Sequence, residues 1–177
     1  IRDRFETGWG YSCYIKKGYG GILFDTGADG QKLLRNIQKA GIKPTAISRI
    51  VISHFHKDHS GGLKEATGLN SKAEIYVPLS IYEEVKTLLP DSRVHKVSSE
   101  HVEIMKGVYL TGELGEKIKE MSLIMDTGGG LVIVTGCAHP GVKEIIEKAT
   151  SIVNQNVFAL IGGLHLKDKK EDEIYEL

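Results

Sequence analysis

The stretch Val51–Leu63, VISHFHKDHSGGL, decides how this chain is read. It places His54, His56, Asp58 and His59 within six residues, and the whole chain has only seven histidines. An apolar run leads into it and the Gly61-Gly62 pair leads out. Histidines at i and i+2 on an extended segment point their imidazoles the same way. Asp58 and His59 follow a turn later and face the same space from the side. Imidazole nitrogens with a carboxylate form the mixed N/O donor set of catalytic metal sites, whereas structural zinc sites favour thiolates, which this cluster lacks. A solvated polar loop is the alternative, and the concentration of metal-capable groups behind an apolar strand weighs against it.

Outward from this stretch, the chain reads as strands ending in reactive residues. YSCYIKKGYGGILFDTG (residues 11–27) predicts a hairpin, with Ser12–Ile15 and Ile22–Asp25 as strands around Gly18 and Gly20-Gly21. A helix from about Gln31 to Ala40 follows, with Leu33, Leu34, Ile37 and Ala40 on one face, Asp29 as N-cap and Gly41 as stop. ISRIVIS (47–53) predicts a continuously apolar strand, buried on both faces. AEIYV (73–77) is another strand, and a helix is expected from Pro78 to Leu89, ended by Pro90. HKVSS, VYLTG and SLIMD are weaker strands, and GLVIVTG (130–136) is a strong one. Pro140 sits near the start of a helix with apolar Val142, Ile145, Ile146 and Ala149. VFALIGG (157–163) reads as a last buried strand. Asp25, His54, Cys137 with His139, and His165 each follow a strand, and strand ends on one sheet edge are where such proteins assemble sites. Strands followed by alternating strands and helices give an α/β class.

Composition bounds the rest. At 177 residues and 19.5 kDa the chain is long enough for one domain, residues 1–177, with a real core. Lys+Arg and Asp+Glu are equal at 23 each, so no global charge pulls it toward nucleic acid or an anionic membrane, and no nucleic-acid partner is expected. Cys13 and Cys137 form no C-x-x-C pair and no disulfide framework. No apolar run reaches membrane-spanning length and no signal peptide opens the chain, so a cytoplasmic location is the default. The chain opens on Ile1 and closes in KDKKEDEIYEL, and is read as a piece of a longer protein.

SHFHKDHSGG resembles the H-x-H-x-D-H signature of the metallo-β-lactamase fold superfamily, and LFDTGAD (23–29) resembles its first motif. TGELGEK (111–117), TGCAHPGV (135–142) and IGGLHL (161–166) resemble a subgroup of dihydropterin–ribofuranosylaminobenzene phosphate synthase-like, metal-dependent hydrolases. The resemblance implies an αββα sandwich. It also implies two divalent ions, zinc first and manganese or iron otherwise. His54 and His56 would bind one ion, Asp58 and His59 the other, and His139 would add a ligand. Cys137 stands where the superfamily often has a bridging aspartate, and is either a ligand or an inert thiol. Asp25 would orient a ligand histidine, and His165 would line the pocket. Asp58 and His165 are the candidate catalytic residues. The subgroup carries a further strand-end histidine, expected here beyond Leu177.

The expected chemistry is hydrolysis of a phosphoester, ester or related electrophile on a small molecule. The alternative is pterin-linked C–N bond formation, with iron-dependent oxygen or redox chemistry a third possibility. Among other residues, Trp9 and Tyr11 are expected to pack in the core or at a pocket rim. Glu113 is either a site residue or a solvated turn glutamate, His95 and His101 are surface residues, and Lys167–Glu176 reads as an exposed helix start.

Overall fold

The computed structural model of the chain describes residues 5–18 and 20–166. The chain divides into two compact units, Ile1–Lys96 and Val97–Leu177. The helix start expected at Lys167–Glu176 lies outside the described residues.

The first unit is a sheet ordered β1-β2-β3-β4-β5. β1 (Cys13–Lys17) and β2 (Gly20–Phe24) form the expected antiparallel hairpin, with Ile15 opposite Ile22. α1 (Gly30–Lys39) starts where Asp29 accepts a 3.0 Å bond from the Lys32 amide, satisfying one of the orphan N–H groups of the first turn. It ends at Gly41, whose φ of 70° suits a residue without a Cβ. α1 buries Leu33 and Ile37, and returns the chain to β3 (Ile47–Val51), parallel to β2. β3 is not buried throughout: Ile47, Ile50 and Val51 are, but Ser48 and Arg49 stay half-exposed, Arg49 within 3.7 Å of Glu74.

The residues after the histidines form two short helices that the sequence reading did not anticipate, α2 (Lys57–Ser60) and α3 (Leu63–Leu69), before β4 (Glu74–Pro78) runs parallel to β3. The helix expected from Pro78 begins later. Pro78 is still extended at ψ 144°, a single 3-10 turn spans Leu79–Ile81, and α4 covers Tyr82–Leu88. β5 (Arg93–Val97) closes the sheet. The core joins Leu23, Ile37, Ile50, Leu63, Ile75 and Val85, and fully burying one such side chain stabilises by about 2 kcal/mol.

The second unit is a sheet ordered β10-β9-β8-β7-β6. It contains β6 (Val102–Met105), which was not anticipated, then β7 (Val108–Leu110), β8 (Leu123–Asp126) and β9 (Leu131–Thr135). These neighbours pair antiparallel. α5 (Val142–Ile152) is the crossover that allows β10 (Val157–Gly162) to lie parallel to β9. It buries Val142, Ile145 and Ala149 against Ile124, Leu131 and Ile133. β10 is not the buried strand that its apolar run suggests. Among the described residues it is the last strand of the sheet, with Phe158 76% and Ile161 46% exposed. An apolar run carries no signal of sheet-edge position.

In both units the parallel strands leave their C-terminal ends on one edge, and the reactive residues follow those ends.

Candidate metal-binding residues

In the first unit, the parallel pairing of β2 with β3 sets Phe24 opposite Val51, so Asp25 and Ser53 emerge side by side. The Asp25 amide donates to the Val51 carbonyl (2.8 Å), and Asp25 adopts φ 56°, turning its carboxylate inward to zero exposure. That carboxylate is a hub. Oδ1 accepts from the Ser53 amide (2.7 Å), and Oδ2 accepts from Ser53 Oγ (2.7 Å) and His59 Nδ1 (2.7 Å). Burial pushes the Asp25 carboxyl up, and the bonds from His59 and Ser53 pull it back.

With the Asp25 carboxylate ionised, this hub selects two imidazole tautomers. His59 donates Nδ1–H to Asp25, leaving Nε2 as a lone pair. Ser53 spends its only hydroxyl proton on Asp25, so at 2.9 Å it accepts from His54 Nδ1, and His54 Nε2 is also a lone pair. One buried carboxylate therefore orients His59 directly and His54 through a hydroxyl, both rings being nearly inaccessible. Their ring centroids are 4.3 Å apart, and their ligand atoms lie within 4.8 Å. His56 is exposed, with Nδ1 3.1 Å from His54 Nε2. Asp58 is half-buried, with Oδ2 3.6 Å from His59 Nε2.

The loop is held by its backbone. His56 caps α2, and its carbonyl accepts from the amides of His59 and Ser60 (both 2.9 Å). The His59 carbonyl accepts from the Thr26 amide (2.7 Å) and hydroxyl (3.0 Å), and the Asp58 carbonyl from the Tyr11 amide (3.0 Å). Gly62 is required here: a Cβ would lie 2.5 Å from the Thr26 carbonyl oxygen and 3.0 Å from Gly30 Cα. Neutral imidazoles with fixed lone pairs, beside a carboxylate, are the donor set a divalent cation takes. The residues present fit such an ion.

In the second unit, β9 runs into the turn Thr135–His139, which contains Cys137 and His139, both half-buried. Glu120, fully buried, fills the inside of that turn. Its Oε1 accepts from Thr135 Oγ1 (2.9 Å) and from the amides of Gly136 (2.9 Å), Cys137 (2.9 Å) and Ala138 (3.1 Å). Its Oε2 accepts from the His139 amide (3.0 Å). The His139 and His165 rings are 4.8 Å apart at 49°, and His165 is exposed at φ 52°. Both line a cleft of about 280 Å³ with Val142 and Leu164.

The structure thus gathers His54, His56, Asp58, His59 and Asp25 in one unit, and Cys137, His139 and His165 in the other. Ser53 and Glu120 were missed by sequence reasoning. An S-H pair at a strand end is the only local signal for Ser53, and Glu120 has none. Trp9 is not in the core: it stands 83% exposed at the rim of a cleft of about 350 Å³ that Tyr11 also lines. Burial beside Cys13 and Asp25 pushes the Tyr11 hydroxyl up. Glu113 is half-buried in a turn, its amide donating to the Ser98 carbonyl (2.8 Å). His95 and His101 are exposed as expected, His95 stacking on Tyr76 at 4.9 Å.

Residues 8–142 match the sequence profile of the metallo-beta-lactamase superfamily, and the chain belongs to it. Most members are metal-dependent hydrolases, and the fold implies binding of divalent metal. The chain is 28% identical to a 7,8-dihydropterin-6-methyl-4-(beta-D-ribofuranosyl)-aminobenzene-5'-phosphate synthase of Methanocaldococcus jannaschii, over 86% of this chain and 68% of that one. It is also 28% identical to a ribonuclease Z of Chlamydia muridarum, over 85% of this chain and 56% of that one. In fold it is similar to a metal-dependent hydrolase of the beta-lactamase superfamily, with TM-score 0.77 at 24% identity, covering 99% of this chain and 77% of that one. Among the described residues no helix is long and apolar enough to cross a membrane.

Proposed function

We propose that this chain is a metal-dependent hydrolase acting on a phosphoester, ester or related electrophile of a small molecule. His54, His56, Asp58 and His59 are assigned as ligands to two divalent ions, zinc in the first instance. His139 and Cys137 are assigned as further ligands on the superfamily pattern. The observation that carries this reading is the shared commitment of the His54 and His59 Nδ1 protons to Asp25, directly or through Ser53. Divalent ions held there would lower the pKa of a bound water to about 7 and would withdraw charge from the electrophile.

The chain's own residues do the rest. Asp25 fixes the imidazole planes before substrate arrives, so no reorganisation is needed at the moment of reaction. Asp58, half-exposed beside His59, accepts a hydrogen bond from the attacking water and aims its lone pair at the electrophile. His165, exposed on the cleft it shares with His139, donates a proton to the leaving oxygen. The balanced charge of the chain supports a small-molecule substrate over RNA.

His56→Ala separates function from folding, because His56 is exposed whereas His54 and His59 are buried. The expected outcome is loss of bound metal and of phosphodiester and ester hydrolysis, with stability within about 0.5 kcal/mol of the parent. Unchanged metal content and rate would overturn the proposal. Similarity to the methanogen synthase over 86% of the chain favours a second reading, displacement at a pterin carbon by an arylamine with pyrophosphate leaving. Pyrophosphate release that requires the arylamine would select it over hydrolysis.

A further inference from the structure

The Cys137–His139 turn contains two assigned ligands, yet its backbone follows no regular element and Ala138 sits at φ 56°. Such a path needs an outside brace. Glu120 lies opposite it, after the turn in which the Leu114 amide donates to the Glu120 carbonyl (2.9 Å) and the Glu120 amide to that of Leu114 (3.2 Å). Five donors from five consecutive residues, Thr135 to His139, converge on its two oxygens. Successive amides folded around one anion form a nest, normally a ligand-binding device. Here a side chain of the same chain occupies it.

The two oxygens are used unequally. Oε1 holds the turn through Thr135, Gly136, Cys137 and Ala138, and Oε2 accepts from the His139 amide. We propose that Glu120 is a positioning residue for the metal centre, its Oε2 fixing the backbone from which the His139 imidazole reaches its ion. The inference rests on the assignment of His139 as a ligand. It places a fully buried carboxylate directly behind the ligand-bearing turn, with both its charge and its reach in use.

Glu120→Gln tests the second oxygen. With the glutamine oxygen in the Oε1 place, four donors stay satisfied and an NH2 group confronts the His139 amide, donor against donor. Glu120→Asp keeps the charge and shortens the reach, and serves if Glu120→Gln does not fold. Ile145→Val is the comparison variant, since Ile145 is fully buried in the core of the same unit and is not assigned as a ligand. Each metal-free protein is titrated with Zn²⁺ by calorimetry, with thermal midpoints measured in parallel.

Loss of a partner that orients a ligand weakens metal binding by about 10–100-fold. That loss is expected for both Glu120 variants, with Ile145→Val within about 2-fold of the parent at a similar thermal midpoint. Full Zn²⁺ affinity in the Glu120 variants, or an equal loss in Ile145→Val, would overturn the inference. If His56→Ala loses metal while Glu120→Gln does not, this inference fails and the proposed function stands. A parent chain that takes up no Zn²⁺ overturns both.

Discussion

The turn after β3 and the turn after β9 solve one problem in opposite ways. Each is irregular backbone at the C-terminal end of a parallel strand, and each is braced by a fully buried carboxylate. Asp25 grips mainly side chains: the Ser53 hydroxyl, the His59 imidazole and, through Ser53, the His54 imidazole. Glu120 grips mainly backbone, four amides and one hydroxyl. A carboxylate bound to imidazole N–H groups fixes protonation and ring orientation. One bound to consecutive amides fixes the path of the chain. On the proposed ligand assignment, the first device sets the chemistry of each donor, and the second sets where a donor stands.

Asp25→Asn is the sharpest way to break this comparison, and the largest effect is expected from it. Wherever the amide nitrogen is placed, it meets a donor: the Ser53 amide on one side, Ser53 Oγ and His59 Nδ1 on the other. Unsatisfied buried donors cost about 1–3 kcal/mol each, so a loss of about 3 kcal/mol in urea unfolding is expected. His59 regains a partner only by moving its proton to Nε2, which occupies the lone pair assigned above to metal. Imidazole ¹⁵N shifts should report that change of tautomer, with Zn²⁺ affinity down about 10–100-fold. A His59 that keeps its Nδ1 proton in the variant would show that Asp25 acts as a backbone brace, like Glu120.

The same difference explains what was legible in the sequence. Side-chain devices leave compositional traces: three histidines and an aspartate in six residues, and an aspartate closing the strand GILF. The β2 and β3 strand ends and α1, with its Asp29 cap and Gly41 stop, followed from periodicity and turn chemistry. A backbone device leaves no trace, because the amides it binds belong to any residue. Glu120 sits in GEKIKEM, which reads as a solvated charged stretch, and its partners lie 15 to 19 residues away. The edge position of β10 is equally silent, since Phe158 and Ile161 look like core residues until strand order is known. α2 and α3 were hidden because Gly61-Gly62 reads as a loop exit, whereas the glycines answer to close approach of Lys57, Ala28 and Thr26.

Close backbone approach gives a smaller, paired test. At Gly62 a Cβ would meet the Thr26 oxygen at 2.5 Å and Gly30 Cα at 3.0 Å, all backbone within the first unit. At Gly163 it would meet the Gly136 oxygen at 2.7 Å and Cys137 Cα at 3.3 Å, against the second turn. Backbone cannot rotate aside, so each alanine substitution forces a shift costing about 1–3 kcal/mol. Gly62→Ala should be the costlier, because two contacts there are at or below 3.0 Å. The measure is the urea midpoint at unchanged slope. A costlier Gly163→Ala would mean that the second turn is the more rigid of the two.

The smallest effect is expected from an exposed brace outside both turns. Glu6 is hydrogen-bonded by Arg35 (2.7–3.0 Å) and Lys39 (3.0 Å), and its backbone exchanges two 2.9 Å bonds with Asn36. The segment it anchors leads to Tyr11, whose amide holds the Asp58 carbonyl. The Arg35 and Lys39 bonds hold the Glu6 carboxyl down at about 2, against an ordinary 4.5. A depressed carboxyl stabilises the fold above its unfolded value and loses that contribution as pH falls through its folded value. The stability gap between the parent and Glu6→Gln should therefore be constant above about pH 5, narrow below 4.5 and vanish near 2. The ion pairs are solvent-exposed, so the gap is small and shrinks further with added salt. At neutral pH the Zn²⁺ affinity of Glu6→Gln should match that of the parent. If it falls, the anchored segment helps set the Asp58 donor, and the first turn depends on its backbone as much as the second does.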